Sequence, residues 1–595
     1  MAVNSIDKDE VISKQSKLTV IRRILSYLKP YKLKVSVIIL FMLIVMACSI
    51  LIPYLLEVAI DTYVANKDLA GLGKMGILLL SVSFIAMILS KFRLLWMNEL
   101  ANKVLVNIRH ELYSHIQTLS FNFFDSRPVG KILARVVGDV NSLQNLLNTC
   151  ITNTIPDLFT LILVVIMMFS LNPKLALSCL AFIPILMISM FFIEIKSTKL
   201  WSAFRQKRSN LIAFSHESFS GIKVTEGFNK EKLKEEGFDF HVNEHYNGFV
   251  TAVKIQDFFW PVIDISHGLG TVLVLLVGYY LTRSGEISTG VLIAFTMYLG
   301  MLWRPITNLA NFYTTLISNF SAAERIFDIL DMEPTIENVE NAEVMPKIKG
   351  DIEFEDVTFF YDGNSKALDD VSFTIKAGEK VALVGETGAG KTTITSLISR
   401  FYDPQIGRVL IDGHDIKNVD LESLRSQMGI MLQDTFLFSC SVKENIRYGN
   451  LNATDEDIIR AAKAVNAHDF IMQLEDGYDT NVNERGSRLS LGQRQLISFA
   501  RALLANPRIL ILDEATSNID TYTERLVQKG IQKLLLGRTS LVIAHRLSTI
   551  RDCDKIMVVS HGCITECGTH EELLKLKGTY YSLYIAQYSF LSEGA

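Results

Sequence analysis

Apolar residues run without a charge through 35–56, 175–193, 265–282 and 287–303, stretches of 22, 19, 18 and 17 residues. At about 1.5 Å per helical residue, such runs match the roughly 30 Å hydrocarbon core of a bilayer. Two weaker runs join them. One covers 75–90 and continues through Lys91 and Arg93; the other, 158–173, follows Asp157. The pattern predicts six membrane-spanning helices. LANKVLVNIRHELYSHIQTLS (100–120) keeps helical spacing but is too charged for lipid. The second span is therefore predicted to continue into water.

The connections alternate in length. Those near 61–74, 172–174 and 283–286 are short. Those at 100–140 and 195–255 are long and carry Lys103, Arg109, Arg127, Lys131, Arg135, Lys196, Lys199, Arg205, Lys207 and Arg208. Lysine and arginine collect on the cytoplasmic side of membrane proteins, which predicts cytoplasmic termini and long loops. LTVIRRILSYLKPY (18–31) reads as an amphipathic helix on that membrane surface. A buried core helix would explain any one apolar run, but not six with a consistent charge bias. The first 17 residues are polar and lack the short apolar stretch of a signal peptide.

The character of the chain changes after the sixth run. Residues 331–349 are acidic and turn-rich, as in a linker. Beyond them, alternating strands such as DIEFEDVTFFY and VALVG interleave with helical segments. The predicted fold is an α-helical six-span transmembrane domain (18–330), after a polar tail (1–17), followed by a cytosolic α/β P-loop ATPase domain (350–595). The net charge of −4 gives no reason to expect a nucleic-acid partner. The seven cysteines have neither disulfide-framework nor zinc spacing, and read as free thiols.

GETGAGKTT, Gly385, Glu386, Thr387, Gly388, Ala389, Gly390, Lys391, Thr392 and Thr393, lies between the strand-like KVALV and the helix-like ITSLISRF. This is a phosphate-binding loop in its required context. Its backbone amides can approach phosphate oxygens, Lys391 can meet the β- and γ-phosphates, and the Thr392 hydroxyl can ligate Mg²⁺. RILILDE ends in Asp513, suited to Mg²⁺, and Glu514, suited to polarising the attacking water. Tyr361 can stack on adenine or simply pack. Gln433 can touch Mg²⁺ or the water, and His545 the γ-phosphate; taken alone, each has an equally good structural role.

Together these positions resemble the nucleotide-binding domain of ATP-binding cassette (ABC) transporters. The resemblance covers the A-loop Tyr361, Walker A at 385–393, the Q-loop Gln433 and the ERG stretch at 484–486. It extends through the signature LSLGQ at 489–493, Walker B at 509–514, the D-loop SNID at 517–520 and the switch His545. The six runs before the cassette, with FNFFDSRPVGKILARVVGDV (121–140) and ESFSGIKVTEGFNKE (217–231), are similar to half-transporters of the bacterial exporter group. The resemblance implies two ATP molecules sandwiched between two cassettes. Each would meet the Walker motifs of one chain and the signature residues, here Ser490, Gly492 and Gln493, of the other. It further implies alternating access, short transmitting helices around 123–129 and 220–224, and a place in a bacterial inner membrane.

The signature departs from the family at Leu491, where glycine is expected. Leu491 removes no hydrogen-bonding side chain but crowds the backbone. With a complete Walker half, this resembles one subunit of a heterodimeric multidrug exporter; a homodimer with a tolerated variant is the alternative. Export of hydrophobic or amphipathic small molecules is the expected activity, against a lipid or lipid-linked-sugar flippase or a peptide exporter. Ionisable groups at membrane depth are Lys91, Arg93, Asp157, Asp264, His267 and Arg304. Residues 258–260 with Met297, Tyr298, Met301 and Trp303 offer either adaptable cavity surface or ordinary packing.

Overall fold

The computed structural model describes residues 17–181, 183–361, 366–431, 435–513, 521–543 and 547–592. They form two compact units. One takes in the described residues up to Ser114 together with Leu133–Asp331. The other takes in His115–Ile132 and the described residues from Met332 onward.

In the first unit the apolar runs are helices. Among the described residues, six stretches are long and apolar enough to cross a membrane: Lys29–Val64, Leu69–Thr118, Thr152–Leu171, Pro173–Ser220, Glu231–Arg283 and Thr289–Leu309. The turn between spans three and four is set locally. Asn172 is extended, its side chain accepts from the Leu175 amide at 3.0 Å, and Pro173 opens the next helix. Proline suits this first position, where no intrahelical N–H is needed. The predicted surface helix is shorter than its pattern, Lys17–Ser26, followed by a 3₁₀ turn at Lys29–Tyr31. Its Val20 and Ile24 are buried. Arg23 binds both carboxylate oxygens of Asp331 at 2.6 and 2.7 Å and stacks over Phe327. Part of its basic face is thus used inside the protein.

Span six is the centre of packing. Ala294, Phe295, Tyr298, Leu299, Leu302 and Ile306 recur at helical spacing and are buried with Val164 and Met168 of span three and Val274 of span five. Tyr298 and Trp303 therefore belong to the core. A buried hydroxyl needs a partner, and Tyr298 donates to the Ile50 carbonyl of span one at 2.9 Å.

One ionic knot holds the helices beyond the apolar region. Asp139 is 8% exposed. It accepts from Arg325 at 2.9 and 2.6 Å and from Arg135, one turn back, at 3.1 Å. Two planar guanidiniums on one carboxylate satisfy its oxygens well.

The second unit is built on two sheets. Its strands are β1 (Ile352–Phe360), β2 (Lys366–Ile375), β3 (Lys380–Val384), β4 (Ile406–Ile411) and β5 (His414–Asp415), then β6 (Met428–Met431), β7 (Ile509–Asp513), β8 (Thr539–Ile543), β9 (Lys555–Ser560) and β10 (Cys563–Gly568). An antiparallel sheet runs β2–β1–β4–β5. A larger sheet runs β10–β9–β3–β8–β7–β6, parallel except for β10.

Strand parity sorts the larger sheet into two cores. Ala382, Val384, Leu510, Leu512, Val542, Ile556 and Val558 face one. Val381, Leu383, Ile509, Ile511, Leu541, Ile543, Met557 and Val559 face the other. Burial on both faces explains why these strands read as unbroken apolar runs. The acidic stretch after Asp331 is tied to this unit. Met345 and Ile348 amides donate to Ser423 and Gln427, and Lys349, Gly350 and Asp351 amides to Asp412.

Removing one partner of the Asp139 knot strands the others' charge. Asp139→Asn is expected to cost about 3 kcal/mol. Thermal melting in detergent should fall by several degrees, whereas Lys174→Gln, at an exposed pair with Glu286, should leave it unchanged.

Candidate active site

The register of the parallel strands brings the predicted nucleotide residues to one edge. Met431 pairs with Leu512, Asp513 with Ile543, and Ile543 is in register with Leu383 beside it. The carboxyl ends of β3, β6, β7 and β8 therefore lie side by side, where open α/β sheets bind ligands. Residues 385–393 follow β3. Gln433, Glu514 and His545, which follow β6, β7 and β8 in sequence, lie outside the described residues, as does the D-loop.

The loop after β3 needs its glycines. Gly385 has φ +155°, and a Cβ there would stand 2.1 Å from the Val559 carbonyl oxygen. Gly390 has φ +112°, and a Cβ there would stand 2.8 Å from the Ala367 oxygen. Glu386, Thr387 and Gly388 form the exposed crown, and Ala389 and Gly390 its buried base. Gly390 caps the helix Lys391–Ile398, whose Ile394, Leu397 and Ile398 pack on the β3 side of the second core. The unpaired amides at that helix start and its dipole favour an anion.

Lys391 is 7% exposed. Its ammonium donates to the Gly385 and Glu386 carbonyls, each at 2.7 Å. Burial pushes its pKa down and the carboxylate of Asp513 pushes it back up. Lys391 and Asp513 thus share one electrostatic neighbourhood although 122 positions separate them in the sequence. The Thr392 side chain is exposed, whereas Thr393 is buried. Among the described residues no group of three or more His, Cys, Asp or Glu side chains is placed to hold a metal ion. The oxygen donors here, Thr392 and Asp513, suit a hard cation that keeps waters and takes its remaining ligands from phosphates.

Tyr361 flanks this loop. Its hydroxyl lies 3.2 Å from Thr393 Oγ1, and its ring meets Phe359 and Tyr402 edge-on at 4.9 and 5.3 Å. It remains 37% exposed, leaving one face open. Burial pushes its phenol upward, so it stays a neutral, stackable ring. The aromatic group extends to a segment that the sequence reading did not connect with it. Tyr402 donates to Asp125 at 2.5 Å, Phe121 stacks on Phe401 at 5.0 Å, and Phe121 meets Tyr402 edge-on. Phe121 and Asp125 sit on the short helix Phe121–Asp125 of the first long loop. A second short helix, Ile222–Gly227, occurs in the other long loop.

The signature lies elsewhere. Ser490 caps the helix Leu491–Ala505: its hydroxyl accepts from the Gln493 amide, and the Gln493 side chain accepts from the Ser490 amide at 2.9 Å. This reciprocal box survives with leucine at position 491, because the first helical position accepts most residues. Leu496, Ile497, Phe499 and Ala500 bury this helix in the first core. The Walker and signature helices therefore pack on opposite faces of one sheet.

The polar residues of the spans divide. Asp157 accepts from Asn308 at 2.8 Å. Arg93 feels both Arg304 and Asp157, and its Nε is buried without a hydrogen-bond partner among the described residues. His267 meets Trp303 edge-on at 5.8 Å, while Asp264 and Lys91 are exposed in the single chain.

Comparison with known proteins agrees with both units. Residues 35–306 match the ABC transporter transmembrane region, and residues 368–517 match the ABC transporter family. YknV, an ABC transporter ATP-binding protein of Bacillus subtilis (strain 168), is 43% identical, covering 98% of this chain and 97% of that one. The chain belongs to the ABC transporters. The ATP-dependent lipid A-core flippase of Syntrophus aciditrophicus (strain SB) is 35% identical, over 99% of this half-transporter and 98% of that protein. A Staphylococcus aureus (strain NCTC 8325 / PS 47) protein provisionally named for multidrug export is 38% identical, over 95% and 100%. A solved bacterial Atm1-family ABC exporter with ATP bound superimposes with a TM-score of 0.78 at 28% identity, over 93% of this chain and 98% of that one. The half-transporter thus carries six membrane helices and one ATP-binding domain, hydrolyses ATP coupled to export, and works as a dimer in a bilayer.

The Tyr402–Asp125 bond links the aromatic group to the first loop. Tyr402→Phe is expected to cost about 1 kcal/mol locally, a roughly fivefold faster amide exchange over residues 121–126. Exchange in β3 and β8 should not change.

Proposed function

We propose that this chain is one half of an exporter that moves hydrophobic or amphipathic small molecules by alternating access, with ATP bound between two cassettes. The observation that carries this reading is the placement of the Walker and signature helices on opposite faces of the same sheet. A helix start so placed cannot reach the phosphates at its own loop, so a complete site requires two cassettes. In this reading the amides of residues 385–391 and the Lys391 ammonium hold the phosphates, and Tyr361 stacks on adenine. Thr392, Gln433 and Asp513 hold Mg²⁺, which supplies charge neutralisation when bound. Glu514 orients and polarises the attacking water, and His545 donates to the γ-phosphate. Ser490, Gly492 and Gln493 serve the ATP held mainly by the other cassette. The basic long loops support cytoplasmic cassettes at a bacterial inner membrane.

Leu491 bears on the partner. The box around Ser490 is intact, so the change lies in how closely the backbone at position 491 can approach a phosphate. A sequence with a complete Walker half and an altered signature fits a heterodimer in which this chain's Walker site hydrolyses ATP. The lipid-flippase alternative draws support from the Arg93, Arg304 and Asp157 group, which carries net positive charge.

Two experiments test this. Glu514→Gln should keep ATP binding, read by a fluorescent analogue, and lower turnover at least about a hundredfold, the size expected for loss of a positioned base. Lys391→Ala should instead weaken binding itself. The chain purified alone in lipid, with its native mass measured, separates the assemblies. Robust Glu514-dependent turnover from a two-copy particle supports a homodimer. Silence relieved by co-expressing a neighbouring cassette subunit supports the heterodimer.

A further inference from the structure

The outer turn of span one carries a carboxylate that the nucleotide chemistry does not use. The buried residues of the helix Lys32–Val58 are Ile38, Met42, Met46, Ile50, Pro53 and Leu55, the first five spaced by four, four, four and three residues. The next member of that series is Glu57. A half-buried carboxyl group thus follows a stripe of core side chains on the same face. Its Oε2 is shielded from solvent and has no hydrogen-bond partner among the described residues.

The neighbouring donors are committed elsewhere. Tyr298, within the field of Glu57, gives its hydroxyl proton to Ile50. Asp61, one turn beyond Glu57, takes the Ser288 hydroxyl and, at 2.9 Å, the Gly290 amide at the start of span six. Asp61 is therefore a helix cap, and Glu57 is not. Immediately after Glu57 the helix widens into a π turn over Ala59–Val64. Such turns interrupt regular bonding and concentrate at functional positions. Tyr54, also in this group, is 40% exposed and presents an aromatic face suited to a cation.

An ionisable group at membrane depth is costly and is retained for a task. The geometry points to Glu57 as a binding residue for the positively charged group of a transported lipophilic cation, with the exposed ring of Tyr54 beside it and the buried Tyr298 as packing behind it. This rests on the reading of the chain as an exporter of amphipathic small molecules, and names a substrate class within it. Glu57 lies at the end of span one opposite its lysine-rich start, which makes it a late contact on an outward path.

The test uses the complete transporter in nanodiscs, with ATPase stimulation and tracer binding measured for three probes of similar shape. These are tetraphenylphosphonium, tetraphenylborate and triphenylphosphine oxide, cationic, anionic and neutral. For the parent protein, tetraphenylphosphonium should act at the lowest concentration. In Glu57→Gln its half-maximal concentration should rise about tenfold, the effect of one lost charge contact, while that of triphenylphosphine oxide should not move. Glu57→Asp should recover part of the preference. Asp61→Asn, which removes a cap, should alter all three probes together or none. An unchanged cation-to-neutral ratio in Glu57→Gln overturns the assignment, and a protonated, purely structural Glu57 would give that result. A parent that answers only to the neutral or anionic probe overturns the cation assignment and leaves the exporter reading standing. A parent that answers to no amphiphile overturns both.

Discussion

The parity of the central sheet is the constraint on which the rest of the cassette depends. Side chains of a strand alternate, so a parallel sheet covered on both faces must sort its residues into two cores. Here odd and even positions of β3, β7, β8 and β9 do so without exception. A one-residue slip in β7 would exchange Leu510 with Ile511 and turn Asp513 away from Lys391. Because one core receives the Walker helix and the other the signature helix, the same parity keeps these two helices on opposite faces of the sheet within one chain.

Much of this was legible in the sequence, for stated reasons. The spans are long uninterrupted patterns, and the phosphate loop combines glycines, lysine and threonine at fixed spacing between a strand and a helix. What escaped was contact between distant positions. Nothing local in FY at 401–402 announces that Tyr402 will bind Asp125, some 277 positions away. Tyr298 and Trp303 had two readings, cavity or core, and burial favours the core. Glu57 was overlooked because it follows the apolar run of 35–56, although its place in the four-residue stripe was available. The signature was read with attention to bulk at position 491. The capping box shows that the local fold tolerates that bulk, since the first helical position accepts most residues.

The two units use polar groups differently. In the cassette, polar side chains are anchored by backbone groups: Lys391 by loop carbonyls, Asp412 by three consecutive amides. Among the spans, backbone groups are satisfied within their own helices, and a side chain must find its partner across a packing face. Asp157 and Asp61 each find one, as Asp139 does beyond the apolar region. This makes each such contact a specific statement about which helices belong together.

The hydroxyl of Tyr298 shows what that specificity is for. Apolar stripes on spans one and six supply contact area, but a stripe of similar aliphatics fits nearly as well after sliding by one turn, about 5.4 Å. The bond from Tyr298 to the Ile50 carbonyl, with Asp61 on the Gly290 amide further along, permits one setting. Two pins through two rods leave no freedom to slip. Spans one and six are thereby indexed as a single lever, able to tilt as a body without losing register.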